Sequence, residues 1–383
     1  MPARSSLALA YLALVAAGCH TVSFANDPFA PGGAKSSLLE LYDIEWWTSL
    51  APARLWEFAP RELASPAVDP DTHRVIVATR DGMVRALSAV DGTVQWAFST
   101  RGPFNAGPRI HEGIAYLPGA DGTLYAIDVR TGGLKWRYDA GEELATTPVV
   151  TSGKVLVASQ ADTLYAVDAK TGQWSWQYRR DTPGGFTVRG AAAPKIDMGV
   201  AYIGFSDGYV VALAVADGAE KWERALGRPG GQFIDVDTTP VLDDSGRLYV
   251  ASYDAGIFAL DSQTGQVEWT AAKQGVTSLL PAGDVLFTAG NSQVGAVLAE
   301  NGRPLWAYDL AGRFAQEPLF ARGMLIVPVN EALLFLDPTT GQPQTAFDPG
   351  PGVSATPTRE APRLYVLSNL GTVYAMRLHG SGG

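Results

Sequence analysis

Cysteine is almost missing from this 383-residue chain: Cys19 is the only one, so no disulfide can form within the body that follows it. Histidine is nearly as scarce, and His20, His73, His111 and His379 are scattered at spacings that fit no metal-ligand motif. Charged residues make up 18% of the chain, its net charge is −10 and no Lys/Arg cluster occurs, which excludes nucleic-acid binding through a basic stripe. There is no Gly-x-Ser-x-Gly nucleophile elbow. Beyond the N-terminus no stretch keeps a helical period for a dozen residues, and the apolar run Leu7 to Ala17 is too short for a membrane span.

The chain is rich instead in turn formers, with 42 glycines and 25 prolines, and in a spaced tryptophan. Thr/Asp/Asn-Gly, three residues, then Trp recurs as DGTVQW (Trp96), TGGLKW (Trp136), TGQWSW (Trp176), DGAEKW (Trp222), TGQVEW (Trp269) and NGRPLW (Trp306). A seventh copy, TGQPQT, carries Thr345 in place of the tryptophan. Repeats of about forty residues mark an array of one supersecondary unit. The third unit reads TTPVVT (from Thr146), KVLVAS (from Lys154), LYAVDA (from Leu164), the TG turn and WSWQY (from Trp174), which is four short strands. Four-stranded units in series are propeller blades, so the fold class is all-β, a β-propeller of antiparallel blades.

Eight second-strand segments can be counted, from RVIVAT at Arg74 to RLYVLS at Arg363, so the propeller has eight blades. The last unit stops at TVYAMRLHG (Thr372 to Gly380), before any tryptophan strand, whereas LWEF (Leu55 to Phe58) stands alone ahead of the first. The N-terminal segment is therefore expected to supply the missing outer strand and close the ring. In each cassette the glycine is expected at positive φ in the turn between third and fourth strands, and the tryptophan as a wedge between blades. The Asp-Gly pairs at Asp81, Asp121, Asp207 and Asp217 are explained by hairpin-turn chemistry.

Residues Met1 to Gly18 combine a basic start at Arg4, the apolar run and small residues directly before Cys19. They resemble a bacterial lipoprotein signal peptide, with Ala16 where leucine is commonest. The resemblance implies cleavage before Cys19, lipidation of that residue and a periplasmic body anchored to a membrane; His20, in place of the aspartate that retains such proteins in the inner membrane, points to the outer membrane. The expected organisation is signal 1–18, lipidated tether 19–49 and propeller 50–380. The aromatic end of the tether (Ile44, Trp46, Trp47) either packs on the propeller or touches a neighbour.

Two further stretches carry a resemblance that covers the whole chain. FTVRGAAAP (Phe186 to Pro194) and DVDTTPV (Asp235 to Val241) precede consecutive blades and so can share one rim. With the signal, tether and repeats they resemble the BamB family, propeller lipoproteins of the outer-membrane β-barrel assembly machinery. That resemblance implies a non-catalytic scaffold of outer-membrane protein assembly that contacts the POTRA domains of BamA through Phe186, Val188, Arg189, Asp235 and Asp237, with unfolded outer-membrane proteins as possible clients and no cofactor or metal. Phe186 and Val188 depart from the family's leucines. Arg189 with apolar neighbours suits an interface anchor, and it equally suits an ion pair with Asp235 or Asp237 within the propeller. Thr238, Thr239 and Pro240 are read as structural, because Thr146-Thr147-Pro148 repeats them.

Two other readings fit the repeats. Quinoprotein dehydrogenases resemble the chain in its cassettes, but the vicinal cysteine pair they place over the quinone cannot be formed with Cys19 alone. A propeller binding a glycan or another ligand in its central funnel is the remaining alternative, and it predicts ligand-dependent stability.

Overall fold

The computed structural model describes residues 41–50, 61–181, 191–227 and 234–379. Among the described residues thirty-one strands form eight antiparallel sheets. Blades one to five run over 67–99, 109–139, 149–179, 195–225 and 241–271, blade six over 276–314 and blade seven over 319–347. Blade eight joins three strands within 358–378 to the strand Tyr42–Ser49. Six sheets have four strands in sequential order, and blade eight has four with the N-terminal strand outermost; in blade six one long strand, Val285–Leu298, pairs with Val276–Ala282 through its first half and with Pro304–Phe314 through its second. Ser292 takes φ 62° between the two halves, so this strand fills both middle positions of its blade.

The near-continuous apolar reading of the second strands follows from burial on both faces. In Lys154–Ala158, Val155 and Val157 pack toward blade two, whereas Leu156 and Ala158 pack toward blade four. Successive side chains of a strand point to opposite faces, and here each face meets a neighbouring blade. The apolar core is thus a series of layers between blades, and only the outer strands alternate with solvent, as in Leu134–Asp139.

The cassette works across these layers. Each tryptophan lies over the turn glycine of the next blade: Trp46 on Gly92, Trp96 on Gly132, Trp136 on Gly172, Trp176 on Gly218, Trp222 on Gly265, Trp269 on Gly302 and Trp306 on Gly341. A Cβ at any of these glycines would fall 2.3 to 2.7 Å from a ring atom, and all seven hold φ between 67° and 76°. Each indole N–H donates to a carbonyl of that next blade at 2.8 to 3.2 Å, as Trp96 does to Val129, so the ring packs between the blades without stranding its donor. The aspartate ending the third strand shapes the turn: Asp168 Oδ1 accepts from the backbone of Lys170 and Thr171 and from the Thr171 hydroxyl.

A bulge explains the fixed spacing. In every blade the residue just before the tryptophan position, such as Lys135 or Glu268, drops out of the pairing register. Each tryptophan then stands opposite an alanine of the third strand, for example Trp136 opposite Ala126 and Trp176 opposite Ala166. Blade seven exchanges the sizes, with Thr345 opposite the buried Phe335. A tryptophan there would have no glycine to cover, because blade eight draws its fourth strand from the N-terminus and has no turn at that place. Tyr42 stacks on Phe335 at 5.2 Å instead.

Ring closure by the N-terminus is as expected, but the strand lies earlier than the 49/50 boundary. Tyr42–Ser49 pairs with Thr372–Leu378, from Tyr42 opposite Leu378 to Ser49 opposite Thr372, so the expected tether gives its last residues to blade eight. The physical reason is that Trp46 takes the cassette position, which Trp56 was expected to hold; Leu55 to Phe58 lie outside the described residues. Ile44 and Trp47 remain exposed on this strand. Glu45, at the bulge, pairs with Arg363 and Arg377, and Arg363 also donates to Ala89 O of blade one. Burial raises the Glu45 pKa, but hydrogen bonds and charge from the two arginines outweigh it and hold the carboxyl below its ordinary value.

Gly172→Ala should lower stability by about 3 kcal/mol through both the left-handed backbone and the clash with Trp136, whereas Gly153→Ala, at φ 71° with open space around it, should cost only about 1 kcal/mol; urea denaturation midpoints compare the two. Because the folded-state pKa of Glu45 is depressed, its clamp is complete above the ordinary glutamate range and is lost as pH falls through the depressed value. Amide protection of 42–49 should fall selectively as pH drops through that depressed value, and Glu45→Gln should show the same selective loss of protection at neutral pH.

Candidate partner rim and central channel

The segments that lead into the blades converge on the axis. In seven blades the inner strand starts directly after a proline, as at Arg109, Val149, Lys195, Val241 and Leu319. These segments surround a channel of about 1010 Å³ lined from all eight blades. Proline suits the place, since it fixes φ and an innermost strand has no further neighbour to receive its N–H.

The DVDTTPV segment leads into blade five. Its backbone lies so close to blade four that a Cβ on Gly204 would fall 2.1 Å from Val236 O, so only glycine permits the approach. Val236 N donates to Phe205 O at 3.1 Å. The Thr238 hydroxyl accepts from Ala251 N at 2.9 Å and donates to Ala251 O at 3.0 Å, and Thr146 Oγ1 accepts from Ala158 N at 3.0 Å in blade three. Thr239 Oγ1 accepts from Ala193 N at 3.3 Å. The Thr-Thr-Pro element is therefore a structural pin, as its repetition suggested.

The two aspartates of this segment do not stand out on the rim. Asp235 is buried at 1% exposure, and Asp237 is half-buried in the channel wall with a small cavity of about 10 Å³ on its other side. Asp237 Oδ1 has no hydrogen-bond partner among the described residues. Burial, and then the charge of Asp235, raise the Asp237 carboxyl to about 7. Phe186, Val188 and Arg189 lie outside the described residues, as does Cys19.

Arg180, which the sequence reading passed over, anchors the chain just ahead of that loop. Its guanidinium meets Asp207 at 2.5 Å and Glu223 at 2.7 Å, accepts no substitute geometry easily because it also reaches the Tyr178 hydroxyl at 3.2 Å, and lies 4.4 Å from the centre of the Tyr209 ring. Burial disfavours its charge, but the hydrogen bonds it donates to Asp207 and Glu223 prevail and raise its pKa. The acidic partners and Tyr209 come from blade four, and nothing in the Arg-Arg-Asp run of the sequence announced them. Glu317 was likewise missed: it faces channel solvent while protein surrounds it, and that burial raises its carboxyl pKa. Among the described residues no group of three or more His, Cys, Asp or Glu side chains could hold a metal, and no helix is long and apolar enough to cross a membrane.

Fold and channel define an eight-bladed propeller of the tryptophan-docked type, an architecture used by enzymes and scaffolds alike. Quinohemoprotein alcohol dehydrogenase from Comamonas testosteroni superimposes with a TM-score of 0.71 at 15% identity, over 90% of this chain and 77% of the enzyme, and BamB from Moraxella catarrhalis with a TM-score of 0.75 at 24% identity, over 87% of this chain and 100% of that one. These likenesses concern the fold. The family model described as outer membrane protein assembly factor BamB matches residues 80–297 and 282–380, and the chain belongs to that family. The BamB proteins of Salmonella typhimurium and Escherichia coli K12 are 30% and 28% identical to it over 200 residues, in each case 50% of this chain and 50% of the relative. The chain thus spans about half the length of the relatives it matches.

Because the folded-state pKa of Asp237 is raised, its contribution to stability is fully present below the ordinary aspartate range and is lost as pH rises through about 7. Asp237→Asn should therefore stabilise the protein at pH 8 by on the order of 2 kcal/mol and leave it nearly unchanged at pH 4, read from denaturant midpoints at the two values.

Proposed function

We propose that the protein is a non-catalytic scaffold lipoprotein of the outer-membrane protein assembly machinery, lipidated at Cys19 and held at the periplasmic face of the outer membrane. The observation that carries this reading is the family match over 80–380. The rigid ring docks on the POTRA domains of BamA through the rim formed by 186–190 and 235–237 and thereby helps to position barrel precursors.

The geometry bears on two of the five candidate residues. Asp235 is buried and Asp237 sits in the channel wall, so these carboxylates support the rim from beneath, and Phe186, Val188 and Arg189 make the outward contact in this reading. Arg180, tied to blade four, fixes where the contacting loop departs. A non-catalytic role agrees with a sequence whose sole cysteine precludes a vicinal pair.

Co-purification from native membranes tests the reading. Wild type should bring down BamA, and Arg189→Glu should lose it while keeping the wild-type melting temperature; retention of BamA by the variant would move the contact elsewhere, and a wild type that never retains BamA would overturn the assignment.

A further inference from the structure

The channel walls carry charges in two layers. Arg109 and Lys195 are the first residues of their inner strands, each directly after its proline. Glu317 is the residue before Pro318, and Asp237 lies three residues before Pro240, while the inner strands of those blades start at Leu319 and Val241. With the strands aligned by their prolines, Glu317 lies two residues, and Asp237 four, ahead of the level of Arg109 and Lys195. At about 3.3 Å per residue the acidic layer stands roughly 7 to 13 Å from the basic one along the axis.

Neither layer satisfies itself. Asp237 Oδ1 is buried and unpartnered, and the Glu317 carboxyl and the Lys195 ammonium form no ion pair among the described residues. The Arg109 guanidinium is held to the wall by its Nε, which donates to Pro148 O at 3.3 Å. All four side chains line the same channel of about 1010 Å³, a volume in the range of small-molecule sites. Acid at one level and base at another match a ligand with positive and negative ends.

We propose that the central channel binds a short zwitterionic peptide, with its terminal ammonium at Asp237 and Glu317 and its terminal carboxylate at Arg109 and Lys195. A tripeptide matches the offset along the axis, since three extended residues reach roughly 10 Å. The carboxylates give the ammonium the acceptors it needs, and the guanidinium offers a planar fork to the carboxylate. Of its four residues only Asp237 also belongs to the partner rim, so partner co-purification, tested at Arg189, and peptide binding, tested at Glu317 and Lys195, can fail separately.

Isothermal titration of the full chain with tri-alanine, N-acetyl tri-alanine and tri-alanine amide tests the site. Tri-alanine should bind, and blocking either end should weaken it at least about fivefold. Glu317→Gln should lose the preference for the free ammonium, and Lys195→Gln the preference for the free carboxylate, each with an unchanged melting temperature in the absence of peptide. Absence of heat with tri-alanine at millimolar concentration would overturn the proposal. So would equal binding of the blocked peptides, or end preferences that survive both substitutions.

Discussion

The seating of each tryptophan on the glycine of the next blade is the interaction on which the ring depends. It joins a large apolar ring, a donor satisfied by the neighbouring blade and a turn that only glycine adopts without strain, so neighbouring blades are locked in one relative position. The alanine opposite each tryptophan and the bulge beside it belong to the same device: one leaves room for the indole and the other sets its place in the register. Full burial of one such ring is worth on the order of 4 kcal/mol as an upper bound, and repetition gives a stiff ring with no single central core.

Blade eight shows what happens where the device cannot be repeated. A ring built from a linear chain must join its ends somewhere, and a blade closed by the other terminus has no turn between its last two strands. The preceding tryptophan is then useless, and Thr345 with Phe335 and Tyr42 fills the layer instead. On its other side the closing strand restores the rule with Trp46 over Gly92, and Glu45 adds a charged clamp to two arginines of the same blade. The strand that completes the ring thus directly follows the segment leading back toward Cys19.

The inner surface follows a different logic. Prolines that begin the inner strands align the blades along the axis, so residues at matching offsets form levels in the channel wall. The other residues lining the channel are uncharged, which makes Asp237 and Glu317 on one side of the prolines, and Arg109 and Lys195 on the other, distinctive. Glycine at 204 and the hydroxyl of Thr238 hold the Asp237 segment against its neighbours, so the placement of its carboxyl is a consequence of backbone packing.

The sequence by itself determined the fold class, the eight blades, the closure by the N-terminal segment and the structural nature of Thr-Thr-Pro. These are local properties: a turn needs its glycine, a strand buried on both faces reads as apolar, and each repeats in register often enough to be counted. Tertiary structure alone decided which tryptophan closes the ring, because Trp46 and Trp56 look alike until one of them must sit over Gly92. It also decided that Asp235 is buried and Asp237 faces the channel, that Arg180 is tied to blade four, and that Glu317 shares a space with Arg109. Each depends on contacts between residues of different blades, and such pairings leave no period in the chain from which they could be read.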